Sequence, residues 1–85
     1  MRHFATPAFW FGYRQLPDAI RELAHKNFAL LISDFSHPSS RFKKVGTYWS
    51  VRVGLRYRAL AREESESLVW FWIGNHADYE ILIQT

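Results

Sequence analysis

A run of six apolar residues, 68–73, constrains the fold of this chain more than any other feature. Its sequence is Leu-Val-Trp-Phe-Trp-Ile, which leaves no polar position to face solvent. A strand of this kind must be covered on both faces, so we expect a central strand. The chain has 85 residues, which is enough for one domain. We therefore predict a single domain over residues 1–85.

The segments before this strand alternate between apolar and polar residues, a pattern typical of strands. We predict strands over residues 41–45, 48–53 and 57–62, with Gly54 in the turn between the last two. The polar segment 63–67 then leads into the central strand. Residues 2–5 are too few for a strong edge strand. The expected sheet is an antiparallel meander of about four strands.

The first part of the chain has helical spacing. Thr6 and Pro7 suit a helix start, and Pro17 opens a second helix that should end near Ser33. Residues 34–40 read as a loop, and residues 76–83 as a short final helix. Because helices and strands are segregated, we predict an α+β fold, with an N-terminal helical hairpin packed on one face of the meander and a short C-terminal helix. The other face should be uncovered and carry the function.

Charge is unevenly distributed along the chain. The net charge is +3, and residues 41–62 contain seven basic side chains but no Asp or Glu. These seven are Arg41, Lys43, Lys44, Arg52, Arg56, Arg58 and Arg62. Such a segment suits phosphate groups, although Lys and Arg also protect solvated strand edges from aggregation.

Several classes of protein are disfavoured by the sequence. There is no cysteine for a disulfide or a thiolate metal site, and His3, His25 and His37 lack the spacing of metal ligands. No stretch is long and apolar enough to span a membrane, and the N-terminus does not read as a secretory signal. We expect a cytoplasmic protein that binds neither metal nor another cofactor and does not enter a membrane.

Four side chains could carry chemistry. Arg52 and Arg58 lie on adjacent predicted strands, and His76 and Tyr79 follow the central strand three residues apart. Cleavage of RNA needs a permanent positive charge beside the negatively charged phosphorane, which arginine supplies, and groups that transfer protons, which histidine supplies. Arg52, Arg58, His76 and Tyr79 are therefore the candidate catalytic residues. Each also has a structural alternative, such as a solvated charge, a helix cap or packing.

The order of elements and several short motifs together resemble the RelE/ParE toxin superfamily over nearly the whole chain. The motifs are Leu16-Pro17, residues 42–45 (Phe-Lys-Lys-Val), residues 49–54 (Trp-Ser-Val-Arg-Val-Gly), residues 57–60 (Tyr-Arg-Ala-Leu) and residues 73–79 (Ile-Gly-Asn-His-Ala-Asp-Tyr). The resemblance implies the toxin of a type II toxin–antitoxin pair, with a cognate antitoxin as partner. In the RelE-like branch it implies a metal-independent endoribonuclease, an mRNA interferase that cleaves messenger RNA on the ribosome.

The resemblance also implies roles for individual residues. Arg58 matches the arginine that stabilises the transition state, and Arg52 a strand position that contacts phosphate. His76 matches a residue that acts near the leaving group, and Tyr79 one implicated as base or base-stacking group. Ser50 departs from members that carry a second catalytic lysine there. The remaining basic side chains of the segment are predicted to bind RNA, namely Arg41, Lys43, Lys44, Arg56 and Arg62.

Two other functions fit the same scaffold. A ParE-like toxin inhibits DNA gyrase by binding and performs no chemistry, but that branch generally lacks the late His and Tyr. An inactive module that binds nucleic acid or the antitoxin is favoured by Ser50. The sequence favours the RNA-cleaving toxin.

Overall fold

The computed structural model describes residues 2–33 and 43–84, which form three helices and five strands. In chain order these are β1 (Arg2–Ala5), α1 (Pro7–Arg14), α2 (Asp18–Ser33), β2 (Lys43–Val45), β3 (Tyr48–Val53), β4 (Tyr57–Glu64), β5 (Ser67–Asn75) and α3 (His76–Gln84). The strands form one sheet in the order β1-β5-β4-β3-β2. The predicted α+β class, the helical hairpin and the C-terminal helix are confirmed. The predicted loop 34–40 and the first two residues of the predicted strand 41–45 lie outside the described residues.

The number of strands differs from the prediction. Residues 2–5 form β1, which pairs with β5 in parallel, so the sheet has five strands and is mixed. Beyond the strand, the backbone N–H of Thr6 donates to the carbonyl of Trp70 at 2.9 Å. Four residues suffice here because their partner is the long apolar strand β5. A pattern read along the chain does not reveal a partner so distant in sequence.

The first helical pair covers one face of the sheet. Thr6 caps α1 by accepting the N–H of Phe9 at 3.2 Å, and Pro7 occupies the first helical position. Behind these helices lies the main core, which takes alternate residues from the strands. Its buried members include Ala24, Leu31, Val51, Val53, Ala59, Ala61, Leu68, Trp70 and Ile73. We refer to this side of the sheet as the helix-pair face.

The opposite side, which we call the second face, was predicted to be uncovered, and this is wrong. Helix α3 packs there against β4 and β5. Ser50 and Leu60 are only 2% and 1% exposed, and Tyr79 of α3 is 4% exposed. The physical reason is the one that made β5 central: its second face is also apolar and must be covered.

A bulge in β5 alters which residues reach the second face. Leu60 pairs with Trp72 and Ala61 with Trp70, so that Phe71 is an extra residue without a partner on β4. Trp70 joins the main core, whereas the rings of Phe71 and Trp72 contact Tyr48 and Tyr79 on the other side. The second face therefore carries two consecutive aromatic side chains of one strand.

The start of α3 is fixed at two points. The side-chain oxygen of Asn75 accepts the N–H of Asp78 at 2.8 Å, which caps the helix. The N–H of His76 donates to the carbonyl of Arg56 at 2.6 Å. Because Arg56 lies in the turn between β3 and β4, this hydrogen bond ties α3 to that turn.

Replacing the cap should weaken the attachment of α3. We expect Asn75→Ala to lower the free energy of unfolding by about 0.5–2 kcal/mol, because the N–H of Asp78 loses its acceptor. Urea unfolding followed by circular dichroism measures the change. Asn75→Asp is the matched control, since a carboxylate caps equally well and should leave stability nearly unchanged. An equal loss in both variants would contradict a capping role.

His3 is a structural histidine on the helix-pair face. Its Nδ1 accepts the indole N–H of Trp70 at 3.1 Å, and the two rings are stacked with centroids 6.3 Å apart. Burial lowers the pKa of His3 below its usual value of 6.5. The neutral ring is therefore the form that the fold prefers.

Stability should fall as the solution becomes acidic. Below pH 6.5 the unfolded chain takes up a proton at His3 before the folded chain does, so the unfolded state is favoured as pH decreases. Urea unfolding between pH 8 and pH 5 measures this, with about pH 6.5 as the upper limit of the effect. We expect the His3→Gln variant to lose less stability in acid than wild type. The His25→Gln variant, changed at an exposed position of α2, should lose as much stability as wild type. The same acid dependence in wild type and His3→Gln would be inconsistent with this role.

Candidate functional site

Two arginines face each other on the second face. Arg52 of β3 and Arg58 of β4 are direct cross-strand partners next to the turn that joins the strands. The neighbouring residues Val51, Val53 and Ala59 belong to the main core, so the two arginine side chains leave the sheet on the other side. Like charges in this position repel each other and destabilise a sheet. A bound anion would remove that cost.

Arg58 is held in place by its surroundings. Its Nη1 donates to the carbonyl of Tyr57 at 2.9 Å and approaches that of Leu55 at 3.4 Å. Its guanidinium carbon lies 5.9 Å from the ring centroid of Tyr79, within the range of a cation–π contact. Burial, and then the charge of Arg52, lower the pKa of Arg58, although Tyr79 and Glu80 act in the opposite direction. An arginine remains charged under such a shift, and the repulsion stays within the site.

The first turns of α3 bring an imidazole to this arginine pair. The His76 and Tyr79 rings are stacked at 5.8 Å, and Tyr79 is beneath Arg58. His76 Nε2 contacts Glu80 Oε1 at 3.0 Å, and both side chains are nearly half exposed. Its Nδ1 is buried and has no hydrogen-bond partner among residues 2–33 and 43–84. All four side chains named from the sequence therefore meet at one place.

Two members of this cluster were not identified from the sequence. Glu80 lies four residues after His76 on one helix, a spacing that brings side chains together and could have revealed it. Trp72 was assigned to the core, but its ring is 6.5 Å from that of Tyr79 and only partly buried. Gly74 makes room for this ring, because a Cβ there would lie 2.6 Å from Cζ2 of Trp72. The bulge that turns Trp72 to this side has no sequence signature.

The other basic residues predicted to bind RNA are dispersed. Lys43 pairs with Ser50 and so lies on the second face at the far edge of the sheet, whereas Lys44 pairs with Trp49 and forms an ion pair with Glu63 at 3.8 Å. Arg56 is exposed in the turn beside the cluster. Arg62 shares the second face, is paired with Glu64 and lies over the ring of Phe71. Arg41 lies outside the described residues.

The helix-pair side of the sheet carries an apolar cavity and, among the described residues, no cluster of cations around it. A cavity of about 230 Å³ lies on the helix-pair side, where apolar residues such as Phe9, Trp10 and Phe28 line it and no arginine or lysine does. Within the described ranges, no group of three His, Asp or Glu side chains could hold a metal ion. No helix there is long and apolar enough to cross a membrane. The arginine cluster is thus the site best suited to bind an anion.

Solved structures share this fold. A chain of the RelB-RelE antitoxin-toxin complex from Methanococcus jannaschii matches with a TM-score of 0.75 at 14% identity, covering 93% of this chain and 96% of that one. The YoeB/ParE toxin from Agrobacterium tumefaciens matches with a TM-score of 0.68 at 19% identity, covering 89% and 99%. YafQ from E. coli strain BL21(DE3) matches with a TM-score of 0.70 at 12% identity, covering 93% and 98%.

The sequence itself gives a family. No curated protein sequence matches the chain. The family model of the ParE-like toxin domain matches residues 29–81, which is more than half of the chain and includes β2 to β5 and most of α3. The protein therefore belongs to the ParE-like toxin domain family.

Proposed function

We propose that this toxin cleaves messenger RNA bound to the ribosome. The observation that carries the proposal is the arginine pair, Arg52 and Arg58, held opposite each other beside the imidazole of His76. Two cations at directly opposed positions of neighbouring strands, one of them held by backbone carbonyls, are unfavourable for folding and suited to a phosphodiester. A toxin that inhibits a protein target by binding alone does not require a histidine–carboxylate pair next to them.

The proposed reaction is transfer of the phosphate to the neighbouring ribose oxygen. The 2′-oxygen forms a bond to phosphorus, and the bond between phosphorus and the 5′-oxygen breaks. The products are a 2′,3′-cyclic phosphate and a 5′-hydroxyl end. Negative charge grows on the phosphorane oxygens, and Arg52 and Arg58 donate hydrogen bonds to these oxygens. This chemistry takes no metal or other cofactor.

His76 and Glu80 are proposed to move the protons. The carboxylate of Glu80 accepts the proton of the 2′-hydroxyl, and the imidazolium of His76 gives a proton to the 5′-oxygen through Nε2. In the free protein these two groups bind each other at 3.0 Å, and a bound substrate takes the place of that contact. Tyr79 was proposed from the sequence as the proton-transfer partner of His76. Tyr79 is only 4% exposed and its ring lies under Arg58. We therefore propose that Tyr79 positions Arg58 and His76 and transfers no proton itself.

A cognate antitoxin is the second proposed partner. Chains of similar fold occur in the RelB-RelE antitoxin-toxin complex from Methanococcus jannaschii and in the DinJ-YafQ complex of E. coli. An acidic or amphipathic segment that covers the arginine pair would neutralise both the charge and the activity. Since ribosomes are the site of action, the proposal places the toxin in the cytoplasm.

Removing one arginine should abolish most of the activity. We expect Arg58→Ala to slow cleavage of a message on programmed ribosomes by about 100-fold to 1000-fold, because one preorganised donor to the phosphorane is lost. Toe-printing measures the rate and position of cleavage. Arg14→Ala, which removes the same charge from the end of α1, is the matched control and should cleave like wild type. Cleavage by folded Arg58→Ala at the wild-type rate would overturn the mechanism.

The same preparation separates the alternatives. A toxin that leaves messages intact but blocks DNA supercoiling by purified gyrase is an inhibitor of gyrase, the other function weighed from the sequence. A folded protein that does neither and still binds an antitoxin is an inactive binding module. Either result would replace the nuclease proposal.

Removing the imidazole should affect chemistry and leave binding intact. We expect His76→Gln to lower kcat by about 100-fold to 10,000-fold with little change in KM, because the 5′-oxygen then lacks its proton donor. The matched control is His25→Gln, the same substitution at an exposed position of α2. A rise in KM with unchanged kcat would assign His76 to substrate binding.

A further inference from the structure

A row of side chains crosses the second face at the end of the sheet away from the arginine pair. The register places Tyr48 of β3 opposite Arg62 of β4, Arg62 opposite Val69 of β5, and Val69 opposite Phe4 of β1. The bulged residue Phe71 lies next to this row. Its ring is 5.2 Å from that of Tyr48 and 5.8 Å from the guanidinium carbon of Arg62. We call Tyr48, Phe71 and Arg62 the aromatic platform.

A cleft opens beside the platform. It has a volume of about 260 Å³ and lies between the turn of β2 and β3 and the last turn of α3. Its walls are formed by Val45, Gly46, Thr47, Tyr48, Leu82 and Ile83. Phe71 and Arg62 support the Tyr48 ring from the side of β4 and β5, and the cleft lies toward β2. Tyr48 is 38% exposed, which leaves part of its ring accessible.

The platform and the arginine pair lie at opposite ends of the second face. Between them Ser50 and Leu60 are buried on the part that α3 covers, whereas Lys43 of β2, opposite Ser50, is exposed at the edge of the sheet. Tyr48 and Arg52 are both in β3, and four residues of strand separate their positions by about 13 Å. Arg62 and Arg58 have the same separation along β4. Helix α3 links the two places as well, because His76 at its start meets the arginine pair and Leu82 near its end lines the cleft. A single strand whose phosphate lies at the arginines can therefore reach the platform along the edge of the sheet formed by β2, past the exposed Lys43 and beside α3.

We infer that the cleft at Tyr48 binds one base of the RNA whose scissile phosphate lies at Arg52 and Arg58. This inference rests on the proposed function and names a base-binding subsite for it. The base stacks on the Tyr48 ring, which lies against Phe71, while Arg62 is paired with Glu64 and holds the Phe71 ring from its other side. Stacking on an aromatic ring tolerates every base, so the subsite positions the strand with weak sequence preference. Gly46 and Thr47 are exposed in the wall of the cleft and offer polar groups for hydrogen bonds to a base edge.

The test uses messages on programmed ribosomes that carry one abasic nucleotide at successive positions on either side of the cut. With wild type, we expect cleavage to fall about tenfold when one particular base is missing, since stacking on an aromatic side chain is lost. With Tyr48→Leu, the complete message should be cut about tenfold more slowly, and the abasic position should make no further difference. Tyr48→Phe keeps the ring and should behave like wild type. Leucine preserves apolar packing, so a difference between the two variants reports stacking.

A second variant changes Leu82, which lines the cleft from the side of α3. Leu82→Trp fills the space with its own ring, and we expect it to abolish the effect of the abasic position even if Tyr48→Leu does not fold. Circular dichroism and thermal unfolding establish folding for each variant.

The outcomes separate this inference from the proposed function. If wild type cuts messages, Arg58→Ala does not, and no abasic position distinguishes wild type from Tyr48→Leu or Leu82→Trp, the subsite is wrong and the nuclease stands. If wild type cuts no message, both the proposed nuclease activity and the base-binding subsite are wrong. If Tyr48→Leu cleaves normally but escapes neutralisation by the antitoxin, the platform is a protein interface and the inference is overturned.

Discussion

The fold depends on covering both faces of β5. This strand lies between β1 and β4, sends Trp70 into the core beneath α1 and α2, and presents Trp72 to α3. A sheet of five strands in so short a chain has little apolar surface to spare, so each of these rings contributes a large share of the buried area. The same requirement that fills the core also places the C-terminal helix, and with it His76, on the face that carries the arginines.

The arginine pair has an electrostatic cost that the free protein only partly offsets. Arg58 is fixed by two backbone carbonyls and by the ring of Tyr79, while its direct neighbour Arg52 repels it. Glu80 lies near enough to counteract part of that repulsion but is already bound to His76. Sites of this kind keep charge in place before the ligand arrives, so that little reorganisation is needed when negative charge develops.

The parts of the structure that follow from local patterns were predictable. The bounds of β3 and the end of α2 at Ser33 agree with the periodicity, and the four residues chosen for their chemistry lie together. The missed features arise from long-range packing. The parallel pairing of β1 depends on a strand at the other end of the chain, and the bulge at Phe71 is a feature of the pairing between β4 and β5. Neither leaves a signature in consecutive residues, so the position of Trp72 on the second face could not be anticipated. The covering of that face was implied by the apolar run 68–73, although the prediction of an uncovered face did not take it into account.

The pairing of β1 with β5 also determines the order in which the domain can be completed. His3 and Trp70 are in contact although they are 67 residues apart, so this edge closes late and at a high cost in chain entropy. The hairpin of β3 and β4 is local, and its own register places Arg52 opposite Arg58. During synthesis a growing chain therefore possesses its arginine pair before its imidazole, and a nascent molecule cannot carry all four candidate residues until α3 has left the ribosome.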